Sequence, residues 1–364
     1  MKNSEFLCDE ISKIEPLSEE WIKRAWKRLD SLIKPKRSLG ILEEIAARVV
    51  AIKEEERPRI EKKAVFVFAS DHGVTEEGVS VFPKSITYEM VRNFLKGIAA
   101  INVLSRKAGA DVFVVDIGVD ADISEESPFL IKRKIRRGTE NISKTSAMKK
   151  EEAEDAIKVG IEVADMAKSM GYSMIATGDM GIGNTTASSA LLCALLRIDP
   201  EEVVGTGTGI DEKVLKKKID VVKKALDVNR HLFSDPISTL SAVGGLEIAG
   251  ICGMCLGGAK NRMIVVVDGF IASCGALVAM MIQPNVKDYL FFSHLSAEKG
   301  HRIFFEKIGE RPILDLRMKL GEGTGAALAM HIIESALSIY NEMATFEEAG
   351  IDEIQAQGKL KDKV

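Results

Sequence analysis

The sequence predicts an α/β protein: a Rossmann-like parallel sheet covered by helices on both faces, with a small helical domain drawn from the N- and C-terminal segments. Three observations carry this expectation. Short runs that are apolar at every position alternate with longer stretches of helical periodicity, and such a run must be buried on both faces of its sheet. Each run ends in a polar or glycine-bearing loop, at the strand end where ligands collect in sheets of this kind. A chain of 364 residues with nine prolines and no glycine-serine tract offers one large core and no flexible linker.

In chain order, helical patterns at 18–32 and 39–56 precede the first strand at 64–69, which runs into Ser70-Asp71-His72-Gly73. A helical stretch over 88–107 leads to a strand at 112–115 and the loop Asp116-Ile117-Gly118. A second long helix, 149–170, is followed by a strand at 174–176 and the loop from Thr177 to Thr186. Strands at 263–267 and 290–292 run into Asp268-Gly269 and Ser293-His294, and a helix over 325–343 follows. The large domain is expected over 60–324, and the small helical domain over 1–59 and 325–364.

Composition excludes several functions. A net charge of −4 gives no general attraction to nucleic acid or anionic membrane. The run Lys132 to Arg137 is basic but lacks interleaved aromatics, and reads as a solvated strand or edge. The charged opening does not read as a signal peptide, and the apolar stretch 263–282 is split by Asp268-Gly269, so no membrane span is expected. Five cysteines in mostly apolar surroundings fit a reducing cytoplasm. Cys252 and Cys255 have redox spacing but sit in an Ala/Gly/Ile-rich stretch, where packing explains them. The five histidines form no metal-binding motif, and no metal or cofactor is expected.

The chemistry concentrates in the glycine-rich loops. In Leu320-Gly321-Glu322-Gly323-Thr324-Gly325 a single carboxylate stands among three glycines, which makes Glu322 the first candidate for a catalytic base. The runs Gly178 to Thr186 and Gly205 to Gly209 can cradle a phosphate through backbone amides, with Gly183, Asn184 and Thr185 opening the following helix. Neither is a P-loop and neither matches the dinucleotide fingerprint. Two threonine-bearing loops in one sheet point to a phosphorylated small molecule. On the residues alone, a nucleotide-dependent dehydrogenase and a non-catalytic nucleotide sensor stay open.

Several motifs in one order narrow this further. Pro35 to Gly40, Asp71-His72-Gly73-Val74, Gly78-Val79-Ser80, Gly178 to Thr186, Gly205 to Gly209, Ser293-His294 and Leu320 to Ala327 resemble the nicotinate-nucleotide:dimethylbenzimidazole phosphoribosyltransferase family over about residues 20–345. The resemblance implies transfer of phosphoribose from nicotinate mononucleotide to a benzimidazole, giving the α-ribazole phosphate used for the lower ligand of cobalamin. It also implies a homodimer. Position by position, it makes Glu322 the general base and Asp179 a second acid where the family usually has Glu. Ser80 and Glu89 fall on the edge of the base pocket, Glu89 in place of a common Gln. Gly181, Gly207, Lys218 and Ser296 fall on nucleotide phosphate and ribose contacts.

Overall fold

The computed structural model describes residues 3–205 and 212–352. Six strands form one parallel sheet: β1 (Lys62–Ser70), β2 (Ala110–Gly118), β3 (Leu130–Lys132), β4 (Tyr172–Met180), β5 (Ile264–Val267) and β6 (Leu290–Phe292). Their order across the sheet is β3-β2-β1-β4-β5-β6, and every neighbouring pair is parallel. From β1 the chain builds outward through β2 and β3, then returns to place β4 on the other side of β1. This reversal opens a crevice at the carboxyl ends of β1 and β4, the position at which such sheets bind ligands. Phe68 of β1 pairs there with Asp179 of β4.

The five strands expected from apolar runs are all present. The sixth, β3, is a three-residue edge strand with Lys132 at its end, too short and too polar to leave a run in the sequence. Residues 64–70 of β1 are buried with little interruption, and because successive strand side chains point to opposite faces, both faces of the sheet are covered. The helices, in chain order, are α1 (Asn3–Ser12), α2 (Glu19–Ser31), α3 (Ile41–Lys53), α4 (Ile86–Leu95), α5 (Ala100–Ala108), α6 (Lys150–Ser169), α7 (Asn184–Leu196) and α8 (Pro200–Val203). They continue as α9 (Glu212–Asn229), α10 (Pro236–Val243), α11 (Leu246–Lys260), α12 (Phe270–Ile282), α13 (Lys299–Ile308) and α14 (Thr324–Glu342). The stretch expected as one helix over 88–107 is two, because Gly97 adopts φ +74° and ends the first.

The chain divides into two compact units, 1–15 with 61–329 and 16–60 with 330–364, the second boundary falling inside α14. The sequence assigns the first fifteen residues to the small domain, whereas α1 belongs to the larger unit and packs on α6 and α11. Tyr289 Oη donates to Glu15 O (2.9 Å) and holds the end of this segment there. In the smaller unit α2 packs on α3, and the Arg28 guanidinium donates to the carbonyls of Tyr340 and Met343 at the end of α14. The basic run is consumed locally: Lys134 bonds Val119 O and Ala121 O at 2.6 Å each, while Arg136 pairs with Glu152 and Arg137 with Asp122. Among the described residues, no helix is long and apolar enough to cross a membrane.

The tightest contact in the larger unit is the crossing of α6 on α11. A Cβ added to Gly253 would lie 1.8 Å from Ile157 O, and one added to Gly160 would lie 2.0 Å from Gly250 O. The helices meet backbone to backbone, and Cys252 and Cys255 are buried in this wall as packing groups. Alanine gains about 1 kcal/mol of helix propensity over glycine, but overpacking a fitted core costs about 1–3 kcal/mol or more. At these distances the clash wins. Gly253→Ala is therefore expected to lower the midpoint of denaturant unfolding; an unchanged or higher midpoint would contradict this packing.

Candidate active site

A cavity of about 350 Å³ lies at the carboxyl ends of the strands. Its walls are the loop after β1 with Val79 to Phe82, the loop from Asp179 to Thr185 after β4, Gly269 to Ile271 after β5, His294, Ser296 and Glu298 after β6, and Lys319 to Glu322. Ile86 and Met90, at i and i+4 on α4, close the apolar side, and Lys218 enters from α9. Of the sequence candidates, Glu322, Asp179, Ser80, Gly181, Gly183, Asn184, Thr185, Lys218 and Ser296 therefore meet at one cavity. Glu89 does not join them. With Ile86 and Met90 facing inward, the helical turn carries position 89 aside, and its half-exposed carboxylate pairs with Arg92 (3.5 Å). Gly207 lies outside the described residues.

The Glu322 loop is set by close backbone approach. Gly321, Glu322 and Gly323 all have positive φ, +84°, +64° and +92°, a conformation that non-glycine residues rarely adopt. A Cβ on Gly178 of β4 would sit 2.6 Å from Glu322 O, so the bare glycine lets the Glu322 peptide lie directly on the strand. Gly323 fits against Val65 in the same way. The Glu322 carboxylate accepts a hydrogen bond from Ile101 N (3.3 Å) at the start of α5 and is only 5 % exposed. Burial, aided by the charge of Asp268, raises its pKa to about 7, against the pull of the Ile101 amide.

Asp179 stands next to it, with its carboxylate facing Gly321. Asn184 Nδ2 donates to its Oδ2 (3.0 Å), and its Oδ1 has no hydrogen-bond partner in the protein. Burial and the negative charges of Asp268, Glu247 and Glu322 push its pKa well above the usual carboxylate range. Below the glycine turn, His72 Nε2 meets Glu247 Oε1 at 2.8 Å, both side chains fully buried. Gly181 and Gly183 lie against this histidine, where a Cβ would come within 3.2 and 3.3 Å of its ring and Cβ atoms.

A lysine-backed helix start forms a further wall of the cavity. The helix α7 opens at Asn184 with Gly183 (φ +96°) as its N-cap, turning the positive end of the helix toward the cavity, with the Asn184 amide already donated to Gly181 O (3.1 Å). Lys218 Nζ donates to Thr185 Oγ1 (2.9 Å) and is 2 % exposed, and burial lowers its pKa against the pull of Glu298. Its place has a periodic cause. Lys218, Val221, Val222, Ala225 and Asn229 form the buried face of α9, whereas Lys216 and Lys217 point outward. Ser296 N donates to His301 Nδ1 (2.9 Å), and the burial that pushes His301 down to about 3 keeps this imidazole neutral. Its remaining proton therefore sits on Nε2 and is donated to Ser273 Oγ, 2.9 Å away.

The sequence reading placed Asp268, His294 and His72 in loops or motifs after strands but gave no role to them or to the pair His72–Glu247. Asp268 follows β5 directly, and His294 lies two residues beyond β6. The pair spans 175 residues, and no local pattern joins it. Among the described residues, no group of three or more His, Cys, Asp and Glu is arranged to hold a metal ion.

A model of the DBI_PRT phosphoribosyltransferase family matches residues 14–351, and the chain belongs to that family. It is 53 % identical over 347 residues to the nicotinate-nucleotide–dimethylbenzimidazole phosphoribosyltransferase of Citrifermentans bemidjiense, covering 95 % of this chain and 99 % of that one. It is 50 % identical over 341 residues to the protein of the same name from Chlorobaculum tepidum, covering 94 % and 96 %. The crystal structure of CobT from Thermus thermophilus superposes with a TM-score of 0.88 at 46 % identity, covering 92 % of this chain and 99 % of that one.

The raised Glu322 carboxyl also bears on stability. A carboxyl with a usual pKa of 4.5 that rises to about 7 on folding stabilises the native state fully below 4.5, and this contribution is lost as pH rises through 7. Glutamine mimics the neutral acid. Glu322→Gln is thus expected to melt at a higher temperature than wild type at about pH 8, with the difference shrinking toward about pH 5. Equal melting temperatures at every pH would show that the carboxyl is not desolvated.

Proposed function

We propose that this chain transfers phosphoribose from nicotinate mononucleotide to 5,6-dimethylbenzimidazole or a related base, giving α-ribazole 5′-phosphate and nicotinate for the cobalamin lower ligand. The observation that carries this reading is one cavity lined both by a carboxyl whose pKa is raised to about 7 and by a lysine-backed helix N-terminus. The enzyme is a pentosyltransferase, as its family membership requires.

The reaction asks for few groups. The departing ring nitrogen of nicotinate mononucleotide is already positive and leaves as a neutral pyridine, so no general acid is required. The incoming benzimidazole loses its ring proton as its other nitrogen attacks, and Glu322 takes that proton. A positioned base of matched pKa contributes about 10²–10⁴-fold. Attack on the face opposite nicotinate inverts the anomeric carbon and gives the α product. Positive charge moves from the pyridinium onto the ribose in the transition state, where the buried Asp268 and the ionised Glu322 favour it.

Lys218, the amides of Gly181, Gly183 and Thr185, the Asn184 side of the helix start, and Ser296 hold the nucleotide, and Gly207, outside the described residues, is assigned to the same substrate. Burial weakens the hold of Lys218 on its proton, and a bound phosphate dianion restores it. Ser80, Ile86 and Met90 line the side suited to a flat aromatic base. Asp179, kept neutral, offers an O–H donor beside Glu322. In this reading the chain works as a homodimer in the cytoplasm. Val81, Phe82 and Leu320 are exposed apolar groups at the cavity that a second copy would cover, and all five cysteines are unpaired.

Two measurements test these roles. Turnover of wild type should rise with pH through about 7, and Glu322→Gln should cut kcat by about 10²-fold or more with nucleotide affinity nearly intact. Wild-type rates in that variant would remove the base. Lys218→Ala deletes a charge-assisted bond of about 1.5–3 kcal/mol, so the KM for nicotinate mononucleotide should rise by about tenfold or more while that for the base changes little. An unchanged nucleotide constant would take Lys218 out of the phosphate site.

A further inference from the structure

We infer that Asp268 is a positioning residue for this reaction: its carboxylate clamps the loop that carries Glu322 and keeps the base turned into the cavity. The inference rests on the reading of Glu322 as that base.

The geometry is specific. Asp268 follows β5 and is completely buried. Its own backbone is fixed from both neighbouring strands: its N–H donates to Thr177 Oγ1 of β4 (3.3 Å), and its carbonyl accepts from Ser293 Oγ beyond β6 (3.0 Å). From this anchor, Oδ2 accepts from Gly323 N (3.1 Å) and Oδ1 from Ala326 N (3.0 Å). These amides belong to the residue that follows the base and to the first turn of α14. A carboxylate oriented by the centre of the sheet thus holds the C-terminal side of a turn whose positive φ is costly at Glu322. Without the clamp, that loop keeps Gly178 as its floor, the bonds from Thr324 N and Oγ1 to Gly321 O (3.1 and 2.8 Å) within the turn, and the long bond from the Ile101 amide to the base.

Burial raises the pKa of Asp268 above the ordinary carboxylate value, and His294 and the loop amides oppose that rise. Ser293 Oγ gives its one proton to Asp268 O, so at the 3.0 Å contact His294 Nδ1 is the donor to Ser293, with Asp268 Oδ1 3.8 Å away. The groups facing Glu322 and Asp268 are Asp179 from β4, His294 from beyond β6 and, on the far side of Asp179, Glu247 from α11. The negative charge of Asp268 also adds to the rise in the proton affinity of Glu322. One side chain therefore sets where the base stands and helps to set when it is ionised.

Asp268→Asn keeps the size of the side chain, removes its charge and turns an N–H toward one of the two loop amides. Steady-state kinetics across pH should give a kcat lower by about 10²-fold, a nucleotide KM within about threefold of wild type, and an acid limb moved toward lower pH. In a Glu322→Gln background the same change should cost nothing more, because a positioning residue has no base left to position. Asp268→Glu restores the charge on a longer arm and should lower kcat with the acid limb at its wild-type place; should the asparagine variant fail to fold, this variant decides. Wild-type kcat in the folded variants, or a loss that adds in full to that of Glu322→Gln, would overturn the inference. Wild-type kcat in Glu322→Gln alone would instead strike the reading of the base, and the clamp with it.

Discussion

Four carboxyl groups, Asp179, Glu247, Asp268 and Glu322, lie buried together at the carboxyl end of the sheet, and the site is the set of solutions to that crowding. Burying an unpaired ion costs several kcal/mol, so each must be compensated or neutralised. Glu247 meets the His72 imidazole. Asp268 takes two backbone amides of the Glu322 loop. Asp179, buried among like charges, is pushed toward its neutral form. Glu322 is left between these extremes, with one weak amide bond and a pKa near neutrality, the condition in which a carboxyl both takes and gives up a proton at working pH.

The strand order makes this crowding possible. Because the chain reverses direction across the sheet between β1 and β4, the strand ends there part and leave a crevice into which loops from distant segments converge. Glycine then sets how closely they converge. At Gly178 the absence of a side chain lets the peptide of Glu322 rest on β4, and at Gly325 it lets the His294 ring lie where a Cβ would be 1.9 Å from Nδ1.

Much of this was legible in the sequence because strands buried on both faces leave runs that nothing else explains, and because glycine-rich loops follow them. The short edge strand β3 left no such run, and the helix break at Gly97 was hidden within an otherwise periodic stretch. The site was legible where function sits in contiguous motifs, as at Gly178 to Thr186 and Leu320 to Gly325. It was not legible where function depends on which way a helix turns. Glu89 follows the same periodicity as Ile86 and Met90 but lies on another face, and only the packing of α4 decides that. Asp268 and the loop it clamps are 55 and 58 residues apart, and His72 and Glu247 still further, so the interactions that compensate the buried charges leave no local trace.

The central claim, that burial holds the Glu322 carboxyl near neutrality as a base in waiting, is open to direct observation by infrared difference spectroscopy of the free enzyme against Glu322→Gln across pH. A protonated carboxyl band is expected at about pH 5.5, absent from the variant, that fades with a midpoint of about 7. A carboxyl already fully ionised at about pH 5.5, with its midpoint at the ordinary value of 4.5, would contradict it.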